Sequence, residues 1–581
     1  MRMNISFCHT MKFLLLLFIL LNIASIIPAQ KITVQETEAA ITIANEMVSF
    51  TFSKNNADLT TIGYKKNSNI LGSKGRGYLL GPGFSMSPSV FSIVRSNDSL
   101  VEIAFFHDAT NHFQYDLHYI LKAKVSGIYC FLYQTHKEND SLAIYGQTRW
   151  GISADEKLFN YHLVRDSIRG PMPLMSSLKE KVQDWTFKMP DGSYYTKYDY
   201  ADYIEDRYVH GFAGTTSGLG MFTIQASHEY LNGGPTKQFQ NVHAGPYLIN
   251  MFNCDHFLSD KRKDDDSIIG RWAKLSGPFL LYINNGVNVD EIWQDAKQKA
   301  LAERKQWPYS WMVHPDYPLA DDRGELSGKL KIADGTSTAY AHIILAAPGR
   351  DWQAQSRGYI FTTRADAKGF FIIKNIRPGR YSLYAYTDGV TGEFVKNKIE
   401  IISEISKLLG TLTWTPISHG HKLWQIGIAD RTTKGFKLSD HKRNYGVFNL
   451  PPANLDFTIG KSNEEQDWYY AQTKPGSWNI HFMVDSLYQG SATITLAIAG
   501  CAKNPALDVL VNDQPVGNGS LHMGNDASVY RSAILSGYYQ EEEIKFAASL
   551  LKKGLNTISL RLSSVKPGGG VMYDAIKLEV N

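Results

Sequence analysis

The sequence predicts an all-β protein divided into several sandwich domains behind an N-terminal leader. Three observations indicate this fold class. Residues 31–305 and 410–581 contain many short stretches of alternating apolar and polar residues, rich in Val, Ile, Tyr and Phe, as in half-buried strands. Few stretches have a helical period, and the clearest is 289–306, with Asp290 as the expected N-cap. The 581 residues exceed one ordinary core, so about two to four domains are expected.

The first thirty residues have the composition of a secretory leader. Arg2 and Lys12 precede an apolar run at 13–27, and small residues end the segment. This order is typical of a signal peptide, here 1–30, and the apolar run is too short for a typical membrane span. We therefore expect a secreted protein, extracellular or periplasmic, without a membrane-spanning segment.

Charge and cysteine content narrow the class further. The formal net charge is +4, of which Arg2 and Lys12 supply +2, so the chain after the leader is nearly balanced. A balanced charge does not favour general nucleic-acid binding. Cys130, Cys254 and Cys501 are scattered, which indicates neither a disulfide framework nor a metal site, so we expect buried thiols. We also expect a monomer.

Composition divides the remaining chain into three units. A passage rich in Trp and Pro at 307–318 predicts a packed linker, so the first domain is placed at 31–318. Residues 319–408 are predicted to form a small β-sandwich, in which the Pro378-Gly379 turn is typical of a β-hairpin. Residues 409–581 contain several longer strand-like stretches, and a jelly-roll sandwich is expected.

The sequence contains none of the standard catalytic signatures for phosphate loops, zinc proteases, serine esterases or dithiol redox sites. A carboxylate pair for glycoside hydrolysis stays open, because acidic residues are plentiful and their spacing selects none. Aromatic residues make up 12% of the chain, and Tyr and Trp suit both strand faces and sugar stacking. The segment 191–214, with Lys197, Arg207, His210 and many tyrosines, is either a solvated hairpin or a site.

Two further segments have unusual composition. In 227–235, Gly233-Gly234-Pro235 predicts a tight turn that brings backbone close to a neighbour. In 245–257, an apolar strand is followed by His256, which is either a structural or a catalytic histidine.

The order and the amino-acid sequences of these segments resemble the motifs of polysaccharide lyase family 4, the rhamnogalacturonan lyases. The resemblance covers nearly the whole chain after the leader. In the first domain it is carried by TKY (196–198), VHG (209–211), EYLNGGP (229–235) and the strand that precedes His256. In the third unit it is carried by WQIGIADR (424–431), DWYYAQ (467–472), WNIHF (478–482), VLVND (509–513), GNDASVYRS (524–532) and YDAIKLE (573–579).

This resemblance implies β-elimination at the rhamnose-(1→4)-galacturonate bond of rhamnogalacturonan I, a pectin polysaccharide. It implies Lys197 as the base that removes the proton from C5 and His256 as the acid that protonates the departing O4. A lysine can act as a base only if burial or a neighbouring cation lowers its pKa, and Arg207 with the nearby tyrosines are candidate neighbours. Histidine titrates near neutrality and can donate the proton.

The resemblance also implies substrate-binding residues. An arginine should pair with the uronate carboxylate; Arg149 is the best match, with Arg165 and Arg169 as rivals. The other expected substrate-binding positions, which line or brace the cleft, are Tyr208, His210, Glu229 and Gly234.

The fold implied by the resemblance is a large N-terminal β-sandwich, a fibronectin type III-like middle domain and a C-terminal jelly roll like a carbohydrate-binding module. No cofactor is required for the expected chemistry. A structural calcium ion stays an open alternative for which the sequence assigns no ligands. Three functional alternatives also stay open: a hydrolase of the same polymer, a non-catalytic glycan-binding protein, and a C-terminal unit that does the work of targeting.

Overall fold

Strand pairing arranges the chain into three consecutive β-sandwich units. The computed structural model describes residues 32–81, 83–205, 207–236, 238–254, 263–439, 445–522, 526–531 and 537–581. The expected signal peptide and His256 lie outside the described residues. The predicted all-β class is confirmed, because strands dominate every unit and the helices are few.

The N-terminal unit contains two large sheets with short accessory strands. In the described residues its strands are β1 (Thr33–Glu36), β2 (Ala40–Ala44), β3 (Val48–Ser53), β4 (Leu59–Tyr64), β5 (Gly77–Leu80), β6 (Val90–Ser96), β7 (Leu100–Asp108), β8 (Phe113–Lys122), β9 (Gly127–His136), β10 (Ala143–Ile144), β11 (Thr148–Ser153), β12 (Tyr161–Arg165), β13 (Ile168–Pro171), β14 (Glu180–Gln183), β15 (Thr186–Lys188), β16 (Tyr194–Thr196), β17 (Ala201–Tyr203), β18 (Val209–Ala213), β19 (Leu219–Gln225), β20 (Gln238–His243), β21 (Tyr247–Asn253), β22 (Ser267–Ile268) and β23 (Trp272–Asn285). Two α-helices, Lys263–Asp266 and Val289–Gln306, and two 3-10 turns, Met175–Ser177 and Lys197–Tyr200, accompany them.

These strands pair as two nine-stranded sheets. Sheet I has the order β1-β2-β3-β4-β5-β11-β21-β20-β17, and sheet II has the order β13-β12-β18-β19-β23-β9-β8-β7-β6. Alternation along the strands turns one side of each sheet into the core, as in β3, where Val48, Phe50 and Phe52 are buried. The indole nitrogen of Trp150 donates to the Tyr119 hydroxyl at 2.8 Å, which joins the sheets across this core.

The predicted helix at 289–306 is confirmed, and it covers sheet II with Ile292 and Trp293. The predicted N-cap Asp290 is wrong. Asn288 has the extended backbone of an N-cap, and its side chain accepts a hydrogen bond from the Glu291 amide. Asp290 lies inside the first turn and pairs with Arg169 at 2.6 Å.

The middle unit is a sandwich of a three-stranded and a four-stranded sheet. Its strands are β24 (Gly324–Ile332), β25 (His342–Ala346), β26 (Phe361–Arg364), β27 (Phe370–Ile376), β28 (Gly379–Tyr386), β29 (Phe394–Ile401) and β30 (Ser406–Trp414), with a 3-10 turn at Trp352–Ala354. The sheet orders are β27-β24-β30 and β26-β25-β28-β29. Because β30 pairs with β24 along its whole length, the unit extends to Trp414, beyond the predicted end at residue 408.

The predicted hairpin around Pro378-Gly379 is wrong. Strand β27 pairs with β24, whereas β28 pairs with β25 and β29, so the chain crosses between the two sheets at this turn. The preceding Arg377 is buried against Glu229 of the N-terminal unit, and its carbonyl accepts from the Tyr381 hydroxyl at 2.8 Å. This long-range anchor fixes the corner.

The C-terminal unit is a sandwich of two five-stranded sheets. Its strands are β31 (His421–Ile426), β32 (Leu455–Thr458), β33 (Ala471–Gln472), β34 (Gly476–Val484), β35 (Ser491–Ala502), β36 (Ala506–Val511), β37 (Gln514–His522), β38 (Gln540–Ala547), β39 (Gly554–Ser564) and β40 (Gly570–Val580), with a helical turn at Glu464–Asp467 and 3-10 turns at Val447–Asn449 and Ala548–Leu550. One sheet is β31-β40-β35-β38 with β33 paired to β40, and the other is β32-β34-β39-β36-β37.

The expected buried thiols are confirmed, since Cys130, Cys254 and Cys501 are all buried and no disulfide joins any of them. None of the helices in the described part of the chain has the length and apolar character needed to cross a bilayer.

Candidate active site

Lys197 lies above the outer face of sheet I, where β16 leads into the 3-10 turn Lys197–Tyr200. Thr196 caps this turn, because its side chain accepts from the Tyr198 amide at 3.3 Å and contacts the Thr186 hydroxyl at 2.8 Å. The Asn241 amide of β20 donates to the Lys197 carbonyl at 3.3 Å. The TKY segment therefore fixes the backbone that carries the lysine.

The Lys197 ammonium group is almost entirely buried, with 4% of the residue exposed. Its Nζ lies 2.8 Å from Oδ2 of Asp184, which also accepts from the Tyr198 hydroxyl at 2.9 Å. Burial lowers the pKa of Lys197, Asp184 raises it, and the charges of Arg149 and Arg531 lower it again, so that the pKa is below its usual value. Burial raises the pKa of Asp184, but Lys197 and the other partners outweigh it and bring the pKa to about 2.

Asp184 and Trp185 form the two-residue tip of the hairpin between β14 and β15. Trp185 has a φ of 44°, which is unfavourable for a bulky side chain by about 1–3 kcal/mol and must be held by its surroundings. Its carbonyl accepts from the Lys197 amide at 3.0 Å, and its ring stacks on His243 at 3.9 Å between centroids. The strained tip thus places Asp184 beside the lysine.

A row of aromatic rings leads away from Lys197 across sheet I. From Trp185 and His243 it continues to Tyr247, whose ring lies 4.7 Å from that of His243, and to Tyr78, 6.4 Å from Tyr247. The Tyr247 hydroxyl donates to that of Tyr78 at 3.1 Å. Gly151 makes this possible, because a Cβ there would lie 2.1 Å from the Tyr247 hydroxyl oxygen. We call Trp185, His243, Tyr247 and Tyr78 the aromatic row.

The candidate arginines differ in their positions. Arg149 projects from β11, and its charge acts on both Lys197 and Tyr247. Arg165 pairs with the buried Asp202, and Arg169 pairs with Asp290 of the long helix.

Arg207, expected as a neighbouring cation of the lysine, instead lies against Asp202 at 3.3 Å. Arg149 and Arg531 are instead the cations whose charges lower the pKa of Lys197.

The C-terminal unit reaches this site. The guanidinium carbon of Arg531 lies 5.2 Å from the centre of the Tyr198 ring, and Ala527 packs against the same ring. Nearby, Tyr445 and Tyr194 approach to 5.1 Å between ring centroids. A unit more than two hundred residues away in sequence therefore forms one wall of the site.

The 229–235 segment joins the N-terminal and middle units. Glu229 is 4% exposed and accepts hydrogen bonds from Arg323 at 2.6 Å and from Arg377 at 2.8 Å. Gly234 has a φ of 71°, and a Cβ there would lie 2.4 Å from the ring of Trp352. Both positions were expected to bind substrate, but the structure places them in a closed interface, which suits bracing.

Tyr208 immediately precedes β18 of sheet II, and His210 lies within that strand. Tyr208 stacks on His228 at 4.6 Å and lies under the Arg304 guanidinium at 3.6 Å, close to the middle unit. His210 is buried between the sheets, where its Nε2 lies 2.8 Å from the Ile249 carbonyl and burial lowers its pKa to about 4. A neutral, enclosed His210 suits a role in the core rather than contact with substrate.

The segment that precedes His256 is held firmly, although the histidine itself lies outside the described residues. Strand β21 ends at Asn253, and Asn232 of the 229–235 segment clamps Cys254 through two hydrogen bonds of 2.7 and 2.9 Å. Asn253 in turn donates to the Tyr145 carbonyl at 2.9 Å.

Several residues of the site were missed in the sequence. Asp184 and Trp185 have no distinctive spacing, and only the fold brings them to Lys197. Arg531 lies within the matching segment 524–532, so the resemblance contained a signal that it belongs to the site. In the described residues no group of three or more His, Cys, Asp or Glu side chains is arranged to hold a metal ion.

The site is suited to removing a proton from a substrate that carries a negatively charged group. A buried lysine with a lowered pKa can accept a proton, and Arg149 and Arg531 make its surroundings positive. Three rings of the aromatic row, those of Trp185, Tyr247 and Tyr78, are partly exposed and offer apolar faces on which sugar rings can stack, whereas His243 is buried.

Comparison with known proteins gives a consistent result. Family models described as polysaccharide lyase family 4, domain II and domain III match residues 332–407 and 422–578. A rhamnogalacturonate lyase of Dickeya dadantii (strain 3937) is 34% identical over 509 residues, which cover 84% of this chain and 83% of that protein. Rhamnogalacturonate lyase B of Emericella nidulans is 23% identical over 94% of this chain and 97% of that protein. A probable rhamnogalacturonate lyase B of Aspergillus niger is 24% identical, with 91% and 86% covered. With 34% identity over most of both chains and two matching domain models, this chain belongs to polysaccharide lyase family 4 and is a polysaccharide lyase.

Proposed function

We propose that this protein cleaves the rhamnose-(1→4)-galacturonate bond of rhamnogalacturonan by β-elimination. The names of its relatives support the substrate, and the family supports the reaction class. The observation that carries the residue assignment is Lys197, a buried lysine with a lowered pKa among cationic groups. A lysine in such surroundings is a base rather than a solvated surface charge.

The first step is removal of the C5 proton of the galacturonate by the neutral Lys197 amine. The electrons of the C5–H bond form the C4=C5 double bond, and the bond between C4 and O4 breaks. Burial favours the neutral amine, whereas Asp184 at 2.8 Å favours the ammonium form. Asp184 therefore orients the amine and, after the transfer, stabilises the proton that the lysine has accepted.

Arg149 and Arg531 are proposed to hold the uronate carboxylate. Negative charge builds on this carboxylate as the C5 proton leaves, so fixed cations lower the barrier. Arg531 is suited to the task, because its Nε is buried and has no hydrogen-bond partner within the described residues. A carboxylate entering between Arg149 and Arg531 would provide one.

His256 is proposed as the acid that donates its proton to O4 of the galacturonate, which leaves as the anomeric hydroxyl of the released rhamnose. The resemblance supports this role, and the clamp between Asn232 and Cys254 holds the chain two residues before it. With the C5 proton on Lys197 and the His256 proton on O4, the elimination is balanced.

The test is incubation of the purified protein with rhamnogalacturonan I, followed by ultraviolet absorbance of the unsaturated uronate and by product size. We expect Lys197→Ala to bind the polymer but to lose about 10²–10⁴-fold in kcat. The matched control is Lys137→Ala, because Lys137 also pairs with a carboxylate, Asp108 at 2.6 Å, but is exposed and follows β9 of sheet II. Wild-type turnover in Lys197→Ala would overturn the base assignment.

The alternatives give different products. A hydrolase would shorten the polymer without new ultraviolet absorbance, and a glycan-binding protein would retain the polymer without shortening it. Homogalacturonan serves as the second substrate, since cleavage of it at an equal rate would contradict the proposed specificity.

We also propose that residues 1–30 direct export and are removed. Their basic start, apolar run and small final residues support this. Mass spectrometry of the protein from the culture medium or periplasm should give an N-terminus near residue 31. A retained leader in cytoplasmic material would contradict it.

A further inference from the structure

The far end of the aromatic row carries an exposed arginine that the proposed catalytic step does not use. Arg76 immediately precedes β5, and its carbonyl accepts from the Ser153 amide of β11 at 3.0 Å. Its guanidinium lies over the Tyr78 ring, 4.5 Å from the centre. Side chains two apart on a strand share a face, so Arg76 and Tyr78 both project from the outer face of sheet I.

One buried carboxylate holds this arginine in place. Asp58 Oδ2 accepts from Nη1 of Arg76 at 2.9 Å, and the side chain of Asp58 is 11% exposed. The Arg76 side chain is 55% exposed, so the guanidinium is fixed at one nitrogen and its remaining edge faces solvent. Arg323, by contrast, is fully enclosed with Glu229, as a purely structural arginine should be. Arg76 is thus oriented and accessible at once.

Arg76 lies on the same surface as Lys197 but several sugar units away. The lysine sits above β20, through the bond between its carbonyl and Asn241, and three strand spacings separate β20 from β5. At about 4.8 Å per spacing, this distance is about 14 Å. The aromatic row fills the interval, with neighbouring centroids 3.9, 4.7 and 6.4 Å apart.

We propose that Arg76 and Tyr78 form a second uronate-binding position, which holds a galacturonate of the same polymer chain distant from the bond that is cleaved. This inference rests on the proposed function, because it requires an acidic polysaccharide that crosses the aromatic row. In a backbone where uronates alternate with neutral sugars, a chain held at Lys197 presents further carboxylates along its length. The neutral sugars between them lie on the ring of Tyr247.

The chemistry of the position favours a carboxylate. A guanidinium offers donors in a fixed fork that matches a carboxylate, and its cationic face is stabilised by the Tyr78 ring beneath it. The buried Asp58 prevents the guanidinium from turning away, which reduces the conformational entropy lost on binding. A neutral polysaccharide would gain only the stacking on the rings.

The test compares Arg76→Gln with wild type on the polymer and on backbone oligosaccharides of increasing length. We expect the KM for the polymer to rise about tenfold, equivalent to about 1.4 kcal/mol, with a much smaller change in kcat. For wild type, KM should fall in one step at the oligosaccharide length that first reaches Arg76, and this step should be missing from the variant. Arg76→Lys, which keeps the charge but not the fork, should be intermediate.

The matched control is Arg561→Gln. Arg561 pairs with Asp508 at 3.2 Å on the C-terminal unit, with side chains that are 47% and 18% exposed, so it reproduces the pair without the aromatic row. Because Arg76→Gln leaves Asp58 without its cation, the double variant Arg76→Gln/Asp58→Asn removes a folding defect as an explanation. Thermal unfolding verifies each variant.

An unchanged KM in Arg76→Gln and in the double variant, or the same step in KM with and without Arg76, overturns the second position and leaves the proposed function intact. An equal rise in KM for Arg561→Gln would also overturn it, because the effect would then come from the loss of any positive charge on the protein surface. If wild type forms no unsaturated product from the polymer, the proposed function fails, and this inference fails with it.

Discussion

Replacement of Glu229 by Gln tests whether this residue braces the interface between units or touches substrate. The change removes one negative charge but keeps the shape of the side chain. Arg323 and Arg377 would remain, with side chains 0% and 8% exposed, around a neutral amide. Removing one partner of a buried ion pair destabilises a protein by about 3–5 kcal/mol. In large domains each kcal/mol lowers the thermal midpoint by about 2–4 °C, so the midpoint of the N-terminal unit should fall by roughly 6–20 °C.

The assay is thermal and urea unfolding followed by tryptophan fluorescence and circular dichroism. Asp290→Asn is the control, because Asp290 and its partner Arg169 have side chains 74% and 25% exposed and the loss should not exceed about 1 kcal/mol. A Glu229→Gln protein within about 1 kcal/mol of wild type would refute the bracing argument. Wild-type stability with a raised KM would instead favour the substrate contact that the resemblance implies.

Two further predictions concern charge. In Asp184→Asn the acid limb of the pH profile of kcat/KM should move to lower pH, because Asp184 raises the pKa of Lys197 and the lysine acts as a base only when it is neutral. Ultraviolet assays of product formation across the pH range measure this shift. A move of the acid limb to higher pH would count against Lys197 as the base. Burial raises the pKa of Glu205, but hydrogen bonds and charges from His342 and Arg364 of the middle unit outweigh it and lower this pKa from its usual 4.5 to about 2. The ionised Glu205 therefore stabilises the folded protein above pH 4.5, and this stabilisation, about 3 kcal/mol, is lost as the pH falls toward 2. Urea unfolding of wild type between pH 5 and 3 should be steeper in pH than that of Glu205→Gln, and parallel curves would contradict it.

Local periodicity was sufficient to predict much of the fold. The alternation in β34 places Trp478, Ile480 and Phe482 inside, and the helical period predicts the span Val289–Gln306, although not its N-cap, Asn288. Both patterns arise from side-chain direction along one element, which sequence records directly. The pairing of one strand with another does not follow from local periodicity. The Pro378-Gly379 turn therefore resembled a hairpin, although the strands on either side of it belong to different sheets.

The candidate site shows the same division. The resemblance selected Lys197, Arg149 and the 524–532 segment, because sequence motifs can be recognised without knowledge of the geometry. It could not show which of its residues face solvent, and His210 and Glu229 proved to be enclosed. Burial depends on what packs from the opposite sheet or the next unit, and that information is not local.

By itself the sequence determined the all-β class, the long helix, the buried thiols and the family, since these depend on composition, periodicity and motif order. Only the tertiary structure decided that Asp184 pairs with Lys197, that Arg531 of the third unit lies over the ring of Tyr198, and that the aromatic row ends at Arg76. The physical reason is that a charge or a ring acts over a few ångströms of space. The residues that meet at this site lie from 13 positions apart, for Asp184 and Lys197, to more than three hundred, for Lys197 and Arg531.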